Sequence, residues 1–345
     1  MKYKLFVTFF AVTIIFCFSA CFRDVDVFVP RSAAPDYTLG ELRSFLEAGT
    51  DTDTTFQGIY TGNGLAGAFY TKHGCKIRFM NTAAATATLT NFGGTACPTG
   101  TVVNIFVREI WKKGDMIRFQ KPTISQSAPI ESGGEILIEI TNAATGEKYK
   151  LASGAKIEVI FPQFAAVQQP NGMKKYLGVG DTSDFNWLPV VFPMGTPNAG
   201  QQVPLLLDTW QDSNTTNAIV GWKMEIDSLE WHNCDRPLLN DPLVMSHKLD
   251  VKLNLPKFAS SNTVCWVIYR NLNIGVYMYS NSTAQKFYAD KTLSNQDVTL
   301  VTISKVNGEF YLGSQSVNTG PFDILYTVTP ELRTETEIRT FLDGL

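Results

Sequence analysis

Charge is scarce in this chain. Charged residues fill 18% of the 345 positions against 44% apolar, and the formal net charge is −3. Proteins that wrap a polyanion concentrate Lys and Arg to displace its counterions. No basic stripe follows the first few residues, which argues against nucleic acid as a partner. Histidine is rarer still: His73, His232 and His247 are the full set, which leaves few places for imidazole catalysis or a metal site. Long apolar runs are missing beyond the N-terminus, so no other segment could span a membrane as a helix. The plentiful types are Thr, Asn, Gly, Val and aromatics, which populate strands and turns. At roughly 150 residues per domain the length suggests two or three domains, and a mostly β fold is the first expectation.

The N-terminus reads Lys2, Lys4, an uncharged run from Leu5 to Phe18, then Ser19-Ala20-Cys21. A positive start, an apolar stretch too short for a bilayer and small residues before a cleavage point describe a secretory signal. The Ser-Ala-Cys ending resembles the lipobox of bacterial lipoproteins, with Phe18 where Leu is usual. The resemblance implies residues 1–21 as signal peptide and lipobox, and lipidation at Cys21 with membrane attachment through its acyl chains. Bulky Phe16 makes Cys17 the poorer candidate. Two or three acyl chains are enough for stable anchoring, at about 0.8 kcal/mol per buried methylene. The alternative is a secreted protein cut nearby.

Export leaves Cys75, Cys97, Cys234 and Cys265 in the mature chain. An even number in an oxidising compartment suggests two disulfides, with three possible connectivities. The pairs Cys75–Cys97 and Cys234–Cys265 are favoured because each lies within one candidate domain; buried free thiols are the alternative.

Residues 22–54 are expected to be a tether and a short helix, with Leu39, Leu42, Phe45 and Leu46 at helical spacing. Glu41-Leu-Arg-Ser-Phe-Leu-Glu47 is echoed by Glu337-Ile-Arg-Thr-Phe-Leu-Asp343, which makes 331–345 a C-terminal helix. Between them a first β-sandwich is expected over 55–165. Its strands are Cys75–Met80, Val102–Ile110, Met116–Phe119, Glu135–Thr141 and Lys156–Phe161, punctuated by Gly93-Gly94, Gly114, Gly133-Gly134 and Gly146. An irregular connector with some strand spans 166–215, and a second β-sandwich 216–330. In the latter, Leu249, Val251, Leu253 and Leu255 alternate with polar residues, as do Trp222, Met224 and Ile226. The fold class is therefore mostly β: tandem β-sandwich domains with short terminal helices.

Several phrases carry a resemblance: Glu109-Ile, Lys113-Gly-Asp-Met-Ile117, Pro122-Thr123, Glu131-Ser-Gly-Gly-Glu135 and Trp231-His-Asn-Cys-Asp-Arg236. Together they resemble an uncharacterised family of surface lipoproteins from Gram-negative bacteria with a Trp-x-Asn-Cys-Asp motif. Its first domain is similar to the β-sandwich of zonula-occludens, ankyrin and netrin-receptor proteins. The resemblance covers roughly residues 55–330 and implies a fold and a location, not an activity; the eukaryotic relatives are binding modules.

No motif brings a reaction centre. Gly62-Asn-Gly-Leu-Ala-Gly67 matches the dinucleotide fingerprint, but that chemistry needs a helix next, and Ala68–Met80 reads as strand, turn and strand. Ser153-Gly-Ala-Lys156 matches the Ser-x-x-Lys of penicillin-interacting enzymes, yet its Ser sits in a turn before a strand. His232, Cys234 and Asp235, with His247, form the best metal candidate. A strand sends Asp235 to the opposite side from the other two, and Asp235-Arg236-Pro237 reads more simply as a turn. Asp51-Thr-Asp-Thr-Thr55 lacks the Gly and closing Glu of a calcium loop and reads as solvated linker. No cofactor and no metal are expected.

The function expected is a non-enzymatic, membrane-anchored extracytoplasmic lipoprotein, on the periplasmic or cell-surface face of the outer membrane, that binds an envelope protein or glycan or serves as a structural module. A glycan-binding alternative rests on Trp187, Trp210 and Tyr277 to Tyr279 as exposed stacking platforms. A hydrolase built on Asp and Glu pairs is a further alternative, since such pairs need no local motif. Binding surfaces are expected in the Gln163–Gln211 connector and in the turns at Gly62–Gly67 and Asn271–Gly275.

Overall fold

A computed structural model describes residues 39–80, 88–163, 171–180, 185–211, 218–238, 246–255, 261–281 and 286–345. Cys17 and Cys21, with the whole N-terminal signal, lie outside the described residues.

The chain is mostly β, built as two sandwiches. The first packs a nine-stranded sheet against a five-stranded one. The larger sheet runs β1 (Asp53–Ile59), β5 (Val102–Ile110), β7 (Ala128–Asn142), β14 (Trp231–Pro237), β10 (Lys174–Val179) and β11 (Asn186–Pro189), with β4 (Leu89–Asn91), β6 (Ile124–Ser125) and β8 (Lys148–Leu151) attached off this path. The smaller runs β12 (Leu207–Gln211), β13 (Ala218–Ile226), β9 (Lys156–Pro162), β3 (Lys76–Met80) and β2 (Ala68–Tyr70). Period-two alternation aims Ile105 and Val107, then Ile136, Ile138 and Ile140, at Ile77, Ile157, Val159, Trp222 and Met224 of the facing sheet.

The second sandwich places β18 (Tyr279–Asn281), β19 (Lys286–Leu293), β15 (Ser246–Leu253) and β22 (Ile324–Val328) over β17 (Gly275–Tyr277), β16 (Thr263–Tyr269), β20 (Asp297–Val306), β21 (Glu309–Asn318) and β23 (Glu331–Arg333). Leu249, Val251 and Leu253 bury the apolar face of β15, as their alternation predicts. Every residue of β16 is buried. Cys265, Val267 and Tyr269 enter the sandwich core, while Val264, Trp266 and Ile268 point the other way into a layer of three helices.

That layer consists of α1 (Leu39–Glu47), α2 (Lys113–Phe119) and α3 (Glu335–Asp343). The two echoing phrases are α1 and α3, and both pack against α2. Leu42 and Leu46, then Ile338 and Leu342, fill the same core as Met116 and Ile117. A capping box at Thr334 and Glu337 starts α3, the Thr334 hydroxyl accepting from Glu337 N–H and the Glu337 carboxylate from Thr334 N–H. Arg339 ties α3 to the carbonyls of Phe45 and Ala48.

Four expectations are corrected. The sandwich boundary falls between β14 and β15 rather than at 216, because β10 to β14 all pair within the first sandwich. The strand expected within 166–215 is β10, β11 and β12, and these belong to the sheets of the first sandwich instead of linking two domains. Met116–Phe119 is helical; a four-residue apolar run has no readable period, and here it is buried between α1 and α3. Gly114 permits that approach, since a Cβ there would overlap the Leu342 carbonyl.

The fourth correction concerns the cysteines: all four in the described chain are buried and free, and neither expected pair is made. Cys234 lies in the first core and Cys265 in the second, which separates them, while Cys234 is instead near enough to Cys75 to act on its charge. Burial pushes the thiols of Cys75, Cys234 and Cys265 upward, which suppresses thiolate chemistry. Alkylation of native protein should therefore leave Cys75, Cys97, Cys234 and Cys265 unmodified. Denaturation without reductant should expose all four, and peptide mass spectrometry that finds two of them already linked would contradict the free-thiol state.

Candidate functional site: a sealed joint and an open cleft

The phrases that carried the family resemblance converge in space. Strand β14 pairs with β7, so Asn233 lies opposite Glu135, Asp235 opposite Ser132 and Arg236 opposite Glu131. The register slips between Asn233 and Asp235, a bulge that faces Gly133 and Gly134. Both glycines are required there. A Cβ at Gly134, whose φ is +130°, would overlap the Trp111 ring, and one at Gly133 would press on Cys234. Gly133-Gly134, expected as a turn, is thus the irregular middle of a 15-residue strand.

Around the bulge the side chains are polar and sealed. Glu109, Glu131, Ser132, Glu135, His232, Asn233 and Asp235 are all fully buried. Arg236 donates to Glu131 Oε2 through Nε at 2.9 Å and Nη2 at 2.6 Å. Thr71 donates to Glu109 Oε1 at 2.6 Å, and Ser132 to Asn233 Oδ1 at 3.0 Å. His232 donates from Nε2 to the Ser228 carbonyl at 3.0 Å. Burial drives its pKa down to about 4, so the ring is neutral across the physiological range. Burial holds the carboxyls of Glu135 and Asp235 well above the usual carboxylate range. The charge of Asp235 raises Glu135 further, while Lys121 opposes; near Asp235, Ser132 opposes and Glu131 raises.

The same knot welds the two sandwiches. Asn273, from the β16–β17 turn, accepts from Ser132 N–H at its carbonyl (3.0 Å) and donates from Nδ2 to the carbonyls of Ser132 (2.8 Å) and Trp111 (3.3 Å). Thr123 N–H donates to the Gly275 carbonyl at 2.8 Å, and Gly275 N–H donates back to Thr123 Oγ1 at 3.0 Å. Lys113 Nζ reaches across to the carbonyls of Tyr269 at 2.6 Å and Arg270 at 3.1 Å. The turn at Asn271–Gly275, expected as a binding loop, is therefore mostly buried in the joint, with Asn273 and Ile274 both inaccessible.

Beside the joint lies an open cleft. A cavity of about 150 Å³ is bordered by the β6–β7 turn, Asn186 of β11, Tyr277, Tyr279 and the Asp290-Lys291 step of β19. Tyr277 packs edge-on against Trp266 and against Tyr279, each with centroids 5.6 Å apart, and Tyr279 is 39% exposed. Trp187, expected as a surface platform, is buried, with Nε1 donating to the Pro122 carbonyl at 2.9 Å. The side chain of Trp210 lies outside the described residues.

The remaining motifs separate. The glycine-rich Gly62–Gly67 turn leads into strand β2, not a helix. Ser153 sits in a turn, and Lys156 pairs with Glu225 at 2.8 Å. Asp53 lies on β1, where Arg108 holds it at 2.8 Å, so the expected linker is already strand. His247 is in the second sandwich against Ser294 and Thr292, away from His232. Among the described residues no three His, Cys, Asp or Glu side chains gather to hold a metal ion. Sequence reasoning missed the cleft and the roles of Asn273 and Lys113. The one available signal for the joint was a pair of glycines flanked on both sides by acids in an apolar stretch.

These features define a two-sandwich β protein with a buried polar cluster at the contact between its halves and a cleft beside it bordered by Gln126, Ser127, Asn186, Asp290 and Lys291. No protein-family model and no curated protein matched the chain.

Removing one partner of a buried ion pair strands the other charge, at a cost of about 3–5 kcal/mol. Arg236→Met should lower stability by that amount in urea unfolding, with Glu131→Gln in the same chain restoring part of it; equal stability of single and double variants would mean the pair is uncoupled. Glu135 and Asp235 bind protons more tightly folded than unfolded. Their stabilising contribution is thus complete below the ordinary carboxylate range and declines as pH rises toward their raised folded values. Glu135→Gln should flatten the fall of Tm as pH rises above the ordinary carboxylate range, and an unchanged slope would assign that fall to other groups.

Proposed function

We propose that the protein is a membrane-anchored extracytoplasmic lipoprotein that binds or scaffolds another component of the bacterial envelope without catalysing a reaction. The observation that carries this reading is the sealing of the polar cluster. The four carboxyl groups that would attract a hydrolase interpretation, Glu109, Glu131, Glu135 and Asp235, are fully buried. Glycoside hydrolysis by a carboxylate pair needs the two groups to flank a substrate. Here Glu131 is held by Arg236 and Glu109 accepts from Thr71, while Glu135 and Asp235 lie on paired strands β7 and β14 with no face open to a substrate.

The resemblance to Gram-negative surface lipoproteins agrees with this architecture, because its motif residues are those of the joint. Attachment through acyl chains on Cys21 is the proposed link to the outer membrane, with the body on its periplasmic or surface face. Among the described residues no helix is long and apolar enough to cross a membrane. The low net charge favours an envelope protein or a glycan over nucleic acid as partner.

Replacing Cys21→Ala tests the anchoring. The protein should then leave the detergent-soluble membrane fraction for the aqueous one, or persist as an uncleaved precursor. A variant processed and extracted like the wild type would refute lipidation at this position.

A further inference from the structure

We propose that the cleft beside the joint is a sugar-binding site that takes one neutral pyranose ring of a glycan, with Tyr279 as its stacking face. The inference rests on the binding-module reading and names the ligand class for it.

Two departures from regular backbone meet at this one cavity. The β6–β7 hairpin closes through Gln126 and Ser127, with φ of +49° and +66°. Two-residue hairpin turns with positive φ at both positions favour Asn-Gly or Gly-Gly, and other side chains are strained there. A glycine would relieve the strain but remove a side chain, and both Gln126 and Ser127 border the cavity. On the opposite wall β19 bulges: His247 pairs with Thr292 and Leu249 with Ala289, which leaves Asp290 and Lys291 facing Lys248 alone. The bulge presents a carboxylate and an ammonium side by side, both exposed. Among the described residues neither is engaged in an ion pair. Asn186 completes the rim, its Oδ1 accepting from Gln126 N–H at 3.2 Å.

These groups match the chemistry of a pyranose. Each sugar hydroxyl donates and accepts, and the rim offers both senses: carboxylate from Asp290, ammonium from Lys291, amides from Gln126 and Asn186, hydroxyl from Ser127. Asp290 and Lys291 cancel in charge, which favours a neutral ring over an acidic one. The C–H face of such a ring lies flat on an aromatic side chain, and Tyr279 is braced edge-on by Tyr277 and flanked by Tyr288 at 6.1 Å. A cavity of about 150 Å³ is the size that admits a single six-membered ring. A longer glycan would continue outward along the exposed rim.

The test is saturation-transfer NMR followed by calorimetry on the folded protein with neutral trisaccharides of glucose, galactose, mannose and N-acetylglucosamine. An oligogalacturonide serves as the acidic comparison. At least one neutral trisaccharide should bind with a Kd between about 1 µM and about 1 mM. Tyr279→Ala and Asp290→Asn should each weaken it at least about tenfold, a loss of about 1.4 kcal/mol, with unchanged Tm. Leu332→Ser, on an exposed strand of the opposite sheet, should bind like the wild type. Absence of transfer to every neutral sugar, preference for the acidic one, or affinity indifferent to both cleft variants would overturn the sugar site while leaving the binding-module reading in place. New reducing-end signals lost in Asp290→Asn would instead show hydrolysis and overturn the non-catalytic reading itself.

Discussion

The fold depends on Asn273 presenting one carbonyl and one amide to a strand of the other sandwich. Ser132 stays opposite Asp235 of β14 and offers its own N–H and C=O on its other side, past the end of β5, whose pairing with β7 stops at Ile110 and Glu135. A longer β5 would have consumed those groups. The end of β5, beside the bulge at Gly133-Gly134, thus leaves backbone polar groups open at the depth where the second half of the molecule must dock, and a buried polar group left unmatched would cost about 1–3 kcal/mol. The glycines, the close Trp111 ring and the Glu131–Arg236 pair all serve to hold that irregularity in place.

The acids of the joint follow from the same constraint. A carboxyl group placed at full burial either finds a cation, as Glu131 does, or keeps its proton, the state toward which burial pushes Glu135 and Asp235. Such a cluster resembles an active site in residue types alone. It differs in that its side chains are fully buried and that Glu109 and Glu131 are already engaged by Thr71 and Arg236. The chemistry that remains accessible is at the rim, where aromatic and uncharged polar side chains dominate.

Much of the fold was legible. The alternation in Lys248–Leu255 and Ile219–Ile226 gave correct strands, and the repeated amphipathic phrases gave the helices α1 and α3, because periodicity survives when only one face is buried. Legibility failed where both faces are covered. Met116–Phe119 and Gly133-Gly134 lie where elements from distant parts of the chain converge, and no local pattern encodes that convergence. The sandwich boundary was misplaced for a related reason: β14 returns to the first sandwich between β7 and β10, a non-local pairing. Of the cleft only Tyr277 and Tyr279 were legible, as candidate stacking aromatics; Gln126, Asn186 and Asp290 are far apart in sequence and share no spacing.

The helical layer carries a consequence for how the molecule is made. Arg339 bonds to Ala48 and Phe45 across 291 and 294 positions, so α1, though already packed on α2, lacks this tie until α3 arrives. Loop-closure entropy makes contacts of such separation slow to form. A chain emerging amino end first can assemble its sandwiches in turn, yet the apolar outer face of β16 and β20 stays uncovered by α3 until Glu335–Asp343 has been made. This nine-residue helix is in effect the latch of a vectorial folding process, and a ribosome that stops short of it releases a body with its side wall open.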